Sequence, residues 1–182
     1  MVQKTVIYLI GSLRNPEIPH IGNKLREIGF DVFCDWHSAG PEADDSWQRY
    51  ETIRGRSYVK ALRGYAAQHV FQFDLTHLNR SDVGILMLPA GKSGHLELGY
   101  LAGQGKKTYI LLDKEPERWD VMYNFMTGVF FNIEDLIKEL VNGRDSPDRS
   151  RVESDMALGS TGEVRSLQQR LAFDSSAKGG TW

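Results

Sequence analysis

Short runs that are apolar at nearly every position constrain this chain most. Residues 6–10 read Val-Ile-Tyr-Leu-Ile, 83–88 read Val-Gly-Ile-Leu-Met-Leu, and 108–112 read Thr-Tyr-Ile-Leu-Leu. A strand with one wet face alternates apolar and polar residues; a strand buried on both faces does not. Helical spacing separates these runs. Ile21, Leu25 and Ile28 share one side of 20–28, which Gly29 stops, and 95–103 is a helix ended by Gly105. Residues 30–34 read as a second strand, and Phe130 and Phe131 mark a short last one. Residues 134–141 form a closing helix with Leu136, Ile137 and Leu140 inward. Strands alternating with helices predict a doubly wound α/β domain, a parallel sheet with helices on both faces. Between these elements, 35–46 is expected to be a long polar loop, and 47–79 one or two helices broken at Gly64 or at Arg54-Gly55-Arg56.

The chain has 182 residues, the length of one domain, with 22 basic and 24 acidic side chains. No basic field is available to hold a nucleic-acid polymer. The one cysteine, Cys34, lies in an apolar run and reads as a core residue, which leaves neither a disulfide nor a multi-cysteine metal site. The apolar run at the N-terminus is too short to span a membrane, so the protein is expected to be cytoplasmic. Composition turns polar at Asn142, which divides a catalytic domain at 1–141 from a linker and tail at 142–182. In that tail Ser160-Thr-Gly-Glu163 resembles a capping box, and Val164, Leu167 and Leu171 form one stripe on a short helix.

In an open parallel sheet ligands bind beyond the carboxyl ends of the strands. Three polar clusters fall there: Gly11-Ser12-Leu13-Arg14, Asp35-Trp36-His37, and Lys92-Ser93-Gly94-His95-Leu96-Glu97. Ser93 and Gly94 are expected at a helix start, where free N–H groups bind anions. Glu97 is then expected in the first turn. There the helix dipole either merely favours an acid or keeps a nucleophile ionised. The spacing alone does not choose between the two.

Three segments together carry a resemblance. Tyr8-Leu-Ile-Gly-Ser-Leu-Arg14, Phe73-Asp-Leu-Thr-His-Leu-Asn-Arg-Ser-Asp82, and Gly94-His-Leu-Glu-Leu-Gly-Tyr100 through Gly105-Lys106 resemble the nucleoside 2-deoxyribosyltransferase family. The first segment is similar to the branch of 2'-deoxynucleoside 5'-monophosphate N-glycosidases. The likeness spans roughly residues 5 to 135 and implies a flavodoxin- or Rossmann-like single domain. It implies Glu97 as the nucleophile on the anomeric carbon, Asp74 as the group that orients base or nucleophile, and Tyr8 as a hydrogen-bond partner of Glu97 or the sugar. A carboxylate that captures an oxocarbenium-like sugar is the chemistry of retaining glycoside hydrolysis. The resemblance also implies a phosphate cradle at Gly11, Ser12, Leu13 and Arg14, helped by Ser93.

The chain departs from the family at one point. The transferases carry an aspartate six residues before the nucleophile, where this chain has Gly91; the monophosphate branch has serine there, and Ser93 is nearer. His37, His95 and the acids Glu42, Asp44 and Asp45 are left as proton donors by residue type. Trp36 and Trp47 are candidates to stack on a base. Asn124-Phe-Met-Thr-Gly128 resembles the segment that lines a neighbouring subunit's site, which implies a homodimer or higher homo-oligomer. The expected activity is therefore N-glycosidic cleavage of a nucleoside or nucleotide, without metal or organic cofactor. Hydrolysis is preferred over base exchange. The alternatives are a non-catalytic nucleotide-binding module and a partner-binding role for the tail.

Overall fold

The computed structural model describes residues 4–145, with side chains to 143. The chain divides into two compact units, Met1–Lys138 and Glu139–Trp182. The second is described only where it continues the last helix. The capping box and stripe expected in the tail lie outside the described residues.

The described residues form five strands: β1 (Val6–Ile10), β2 (Asp31–Phe33), β3 (Val83–Met87), β4 (Lys107–Leu111) and β5 (Gly128–Phe130). They pair in the order β2-β1-β3-β4-β5, every pairing parallel. The helices are α1 (Glu17–Glu27), α2 (Ala43–Ile53), α3 (Tyr58–Leu62), α4 (Tyr65–Arg80), α5 (Lys92–Gly103) and α6 (Ile133–Asp145). This is the doubly wound, flavodoxin-like order expected. Its switch point lies between β1 and β3, where the winding changes direction.

The apolar runs become strands for the reason that made them legible. Ile7 and Leu9 point to one face and Tyr8 and Ile10 to the other, and all four are buried. Tyr8, Ile10, Phe33, Leu86 and Ile110 pack with Leu78 of α4 and with Leu98 and Leu101 of α5. α5 sits close on the sheet because β3 carries Gly84. A Cβ there would lie 2.5 Å from Leu101 Cδ1 and 3.3 Å from Leu98 Cδ1. That approach sets how far every α5 side chain, Glu97 included, stands from β1.

Four expectations change. Residues 35–46 are not one loop. Asp35–Ala39 is a 3₁₀ turn and α2 begins at Ala43, with Asp44 and Asp45 in its first turn, where acids favour a helix start. The stretch 47–79 lies in three helices, because both suggested breaks are used. Gly55 takes a positive φ of 67° after α2, and Gly64 caps α4. α5 starts at Lys92 with Gly91 as its N-cap, three residues earlier than expected. α6 runs on to Asp145, past the expected end at Val141.

Several motif residues turn out to hold the fold together. Asp82 accepts the Val6 N–H at 2.8 Å and gives its own N–H to the Val6 carbonyl at 2.8 Å, which ties β3's start to β1's start. Lys106 Nζ donates to the Leu78 and Asn79 carbonyls at 2.8 and 2.9 Å, closing the C-terminus of α4. Tyr100 donates to Asn79 Oδ1 at 2.8 Å and so links α5 to α4.

Candidate active site

Tyr8, Asp74 and Glu97 come from β1, α4 and α5 and meet on the side of the sheet that those two helices cover. Tyr8 is buried in mid-strand, and its hydroxyl lies close enough to the Asp74 carboxyl to act on its charge. Asp74 is half-buried. Its Oδ1 is shut off from solvent with no hydrogen-bond partner among the described residues. Glu97, also half-buried, lies near enough to Asp74 for their charges to interact.

Burial controls the electrostatics of this cluster. Removal from water pushes the Glu97 carboxyl from 4.5 up to about 7, and the Asp74 charge adds to that rise. Burial also raises Asp74, against the lowering effect of its hydrogen bond from Tyr8. The Tyr8 phenol is driven far above its ordinary range, by burial first and then by Glu97 and Asp74, so it stays a hydrogen-bond donor. The expected place of Glu97 in the first turn is corrected here. Glu97 is the sixth residue of α5, beyond the first turn. Near neutral pH it exists in both protonation states, and a dipole effect of about 0.3–1 kcal/mol does not offset its desolvation.

The residues expected around a phosphate lie at the same carboxyl edge. Gly11 follows β1. A Cβ there would collide with Ile18 Cδ1, so a larger residue would have to displace the Ile18 side chain. Ser12 Oγ accepts the Arg14 N–H at 3.2 Å, with Leu13 between them. Arg14 Nη2 donates to Asp45 Oδ2 at 2.8 Å. Ser12 and Arg14 line a cleft of about 520 Å³ walled by Met87, Pro89, Leu112 and Phe131; Tyr8, Asp74 and Glu97 do not line it. Ser93 is exposed in the first turn of α5. Gly94, by contrast, is packed onto the sheet: a Cβ would stand 3.0 Å from Leu86 Cδ1 and 3.1 Å from Ile10 Cγ2.

The other predicted residues are tied into the frame. Trp36 Nε1 donates to the Leu9 carbonyl at 2.9 Å, and His37 Nε2 lies 3.0 Å from the Asn15 carbonyl oxygen. The 3₁₀ turn thereby clasps the loop after β1. Both His95 nitrogens are engaged, Nδ1 with the Gly91 carbonyl at 3.0 Å and Nε2 with the Tyr123 hydroxyl at 3.1 Å. Asn124 is exposed and donates to the Val121 carbonyl at 2.9 Å, within its own 3₁₀ turn, Val121–Phe125.

Sequence reasoning missed Tyr123, the partner of His95, and His77, one helical turn beyond Asp74. His77 stacks on Phe33 with ring centroids 3.7 Å apart and 6° between planes, and Phe33 in turn lies 5.2 Å from Tyr8. Arg80 Nε donates to His77 Nδ1 at 2.8 Å. Burial and then the Arg80 charge hold the imidazole below its ordinary value, hence neutral. The signal available was the three-residue spacing of Asp74 and His77, which puts both on one helix face.

Among the described residues no helix is long and apolar enough to cross a membrane, and no group of three or more His, Cys, Asp or Glu is placed to hold a metal ion. No family profile and no curated protein matches the chain. Solved structures do. The 2-deoxyribosyltransferase of the psychrotolerant bacterium Bacillus psychrosaccharolyticus superposes with a TM-score of 0.51 at 18% identity, over 81% of this chain and 95% of that one. The CMP N-glycosidase BcmB of Clostridium botulinum gives a TM-score of 0.45 at 14% identity, over 75% of this chain and 98% of that one. The first likeness shows a shared fold.

Proposed function

We propose that this protein cleaves the N-glycosidic bond of a nucleoside or nucleoside 5'-monophosphate through a glycosyl ester on Glu97. The observation that carries the reading is the meeting of Tyr8, Asp74 and Glu97 from three separate elements beside the β1/β3 switch point. A fold shared with a 2-deoxyribosyltransferase supports it. In the first step a Glu97 carboxylate oxygen bonds to the anomeric carbon as the carbon–nitrogen bond breaks, and the base leaves with a proton taken up from solvent. In the second, water attacks the anomeric carbon, its proton leaves to solvent, and Glu97 departs as a carboxylate. Asp74, beside Tyr8, orients the base or the nucleophile.

Hydrolysis is preferred over base exchange. The transferase acid is replaced by Gly91, and the loop Gly11 to Arg14 suits a 5'-phosphate, Arg14 bidentately. A free, buried Cys34 fits a reducing, cytoplasmic setting. The test is free-base release from a panel of nucleosides and their 5'-monophosphates, with and without a second free base. Release without formation of a new nucleoside is expected. A new nucleoside would make the protein a transferase. Thermal stabilisation by the ligands with no release from any of them would make it a binding module.

A homodimer completes the proposal. α2 to α5 expose Ile53, Tyr58, Tyr65, Phe71 and Leu96, and the turn around Asn124 exposes Val121, Met122 and Phe125. Apolar exposure on this scale marks interaction surfaces. The double variant Val121→Asp, Phe125→Asp is expected to sediment as a monomer where the wild type sediments as a dimer. A monomeric wild type would remove this part of the reading.

A further inference from the structure

We infer that Asp45 is a charge gate on Arg14 that sets how strongly the protein discriminates between a 5'-monophosphate and the bare nucleoside. The inference rests on the reading of Gly11 to Arg14 as the phosphate loop. Asp45 stands in the first turn of α2 and takes the Arg14 Nη2 donor at 2.8 Å, with the two side chains 59% and 50% exposed. The 3₁₀ turn that precedes α2 is anchored independently of that contact. Trp36 holds the Leu9 carbonyl at 2.9 Å, and His37 Nε2 lies 3.0 Å from the Asn15 carbonyl oxygen. A phosphate that reaches Arg14 displaces the Asp45 carboxylate from an exposed pair.

Two effects then act in one direction. The guanidinium is a fork of N–H donors suited to a phosphate, but one arm is already committed to a carboxylate. The Asp45 charge also stays near the incoming dianion after displacement and repels it. An exposed pair is a weak competitor, so the gate grades affinity and does not block the site. A nucleoside without a phosphate meets neither effect.

Steady-state kinetics on the four common 2'-deoxynucleosides and their 5'-monophosphates test the gate, with wild type, Asp45→Asn, Arg14→Gln and the double variant. Asp45→Asn is expected to lower KM for the monophosphate about two- to fivefold relative to KM for the nucleoside. The gain should vanish in the Arg14→Gln background and shrink at high salt. An equal change for both substrate classes, or a rise in KM for the monophosphate, overturns the gate. If no substrate releases base, the cleavage reading has failed, and calorimetric binding of the monophosphates and of inorganic phosphate to the same four proteins tests the gate directly. Tighter binding to Asp45→Asn that depends on Arg14 sustains it. Equal binding, or none, overturns it.

Discussion

Glu97→Gln is expected to abolish base release and to raise the melting temperature at pH 8. Loss of the nucleophile removes the covalent route, which places the fall in kcat on the order of 10⁴-fold or more. The stability gain follows from the displacement of the carboxyl from 4.5 to about 7 in the folded protein. A raised carboxyl favours the folded state fully below pH 4.5, and that favour is lost as the pH climbs through 7. Above it, the folded protein carries a buried charge that the unfolded chain keeps in water. The penalty is about 3 kcal/mol at pH 8. Glutamine keeps the shape and drops the charge, so the variant should gain roughly 5–10 °C there and about a quarter of that at pH 5. Differential scanning calorimetry at the two pH values reads this directly. An unchanged melting temperature at pH 8 would show that Glu97 is a solvated acid and not a strained nucleophile. A functional site that stores instability is the pattern expected of catalytic carboxylates.

The strands were legible because a parallel sheet buries both faces, and runs such as Val6 to Ile10 cannot be mistaken for half-wet strands. Helix starts were not. α5 begins at a glycine cap and two polar residues, with no side-chain cap to announce it, and the three-residue error placed Glu97 in the wrong turn. The same weakness hid α2. Asp44 and Asp45 mark a helix N-terminus, yet beside Gly40 and Pro41 they read as loop acids. The convergence of Tyr8, Asp74 and Glu97 has no local signature, since three elements deliver them. Family resemblance pointed to the trio; periodicity could not. Resemblance also singled out Asp82, Tyr100 and Lys106, whose observed contacts are architectural. Motif and site overlap only in part, because the geometry that positions a nucleophile needs its own fixed residues.

Asp74→Asn should separate the two causes of the Glu97 shift. Burial is the larger and survives the substitution; the Asp74 charge is the smaller and does not. In the wild type, kcat/KM should rise with pH and reach half its plateau near 7, as Glu97 becomes the carboxylate that attacks. In Asp74→Asn the half-point should move to lower pH, but not as far as an ordinary glutamate, and the plateau should fall about 10²-fold as the orienting group is lost. Tyr8→Phe should move the half-point the same way by less. Its hydrogen bond holds Asp74 below where burial alone would put it, so losing that bond shifts Asp74 towards its neutral form and weakens the repulsion on Glu97. The carboxyls titrate as a pair, so the profile, and not either residue's own value, is the quantity to compare. A half-point that stays put in Asp74→Asn would mean that the two carboxylates do not sense each other, and Asp74 would lose its place in the site. A half-point that moves in Asp74→Asn but not in Tyr8→Phe would leave the pair standing and reduce Tyr8 to a core side chain.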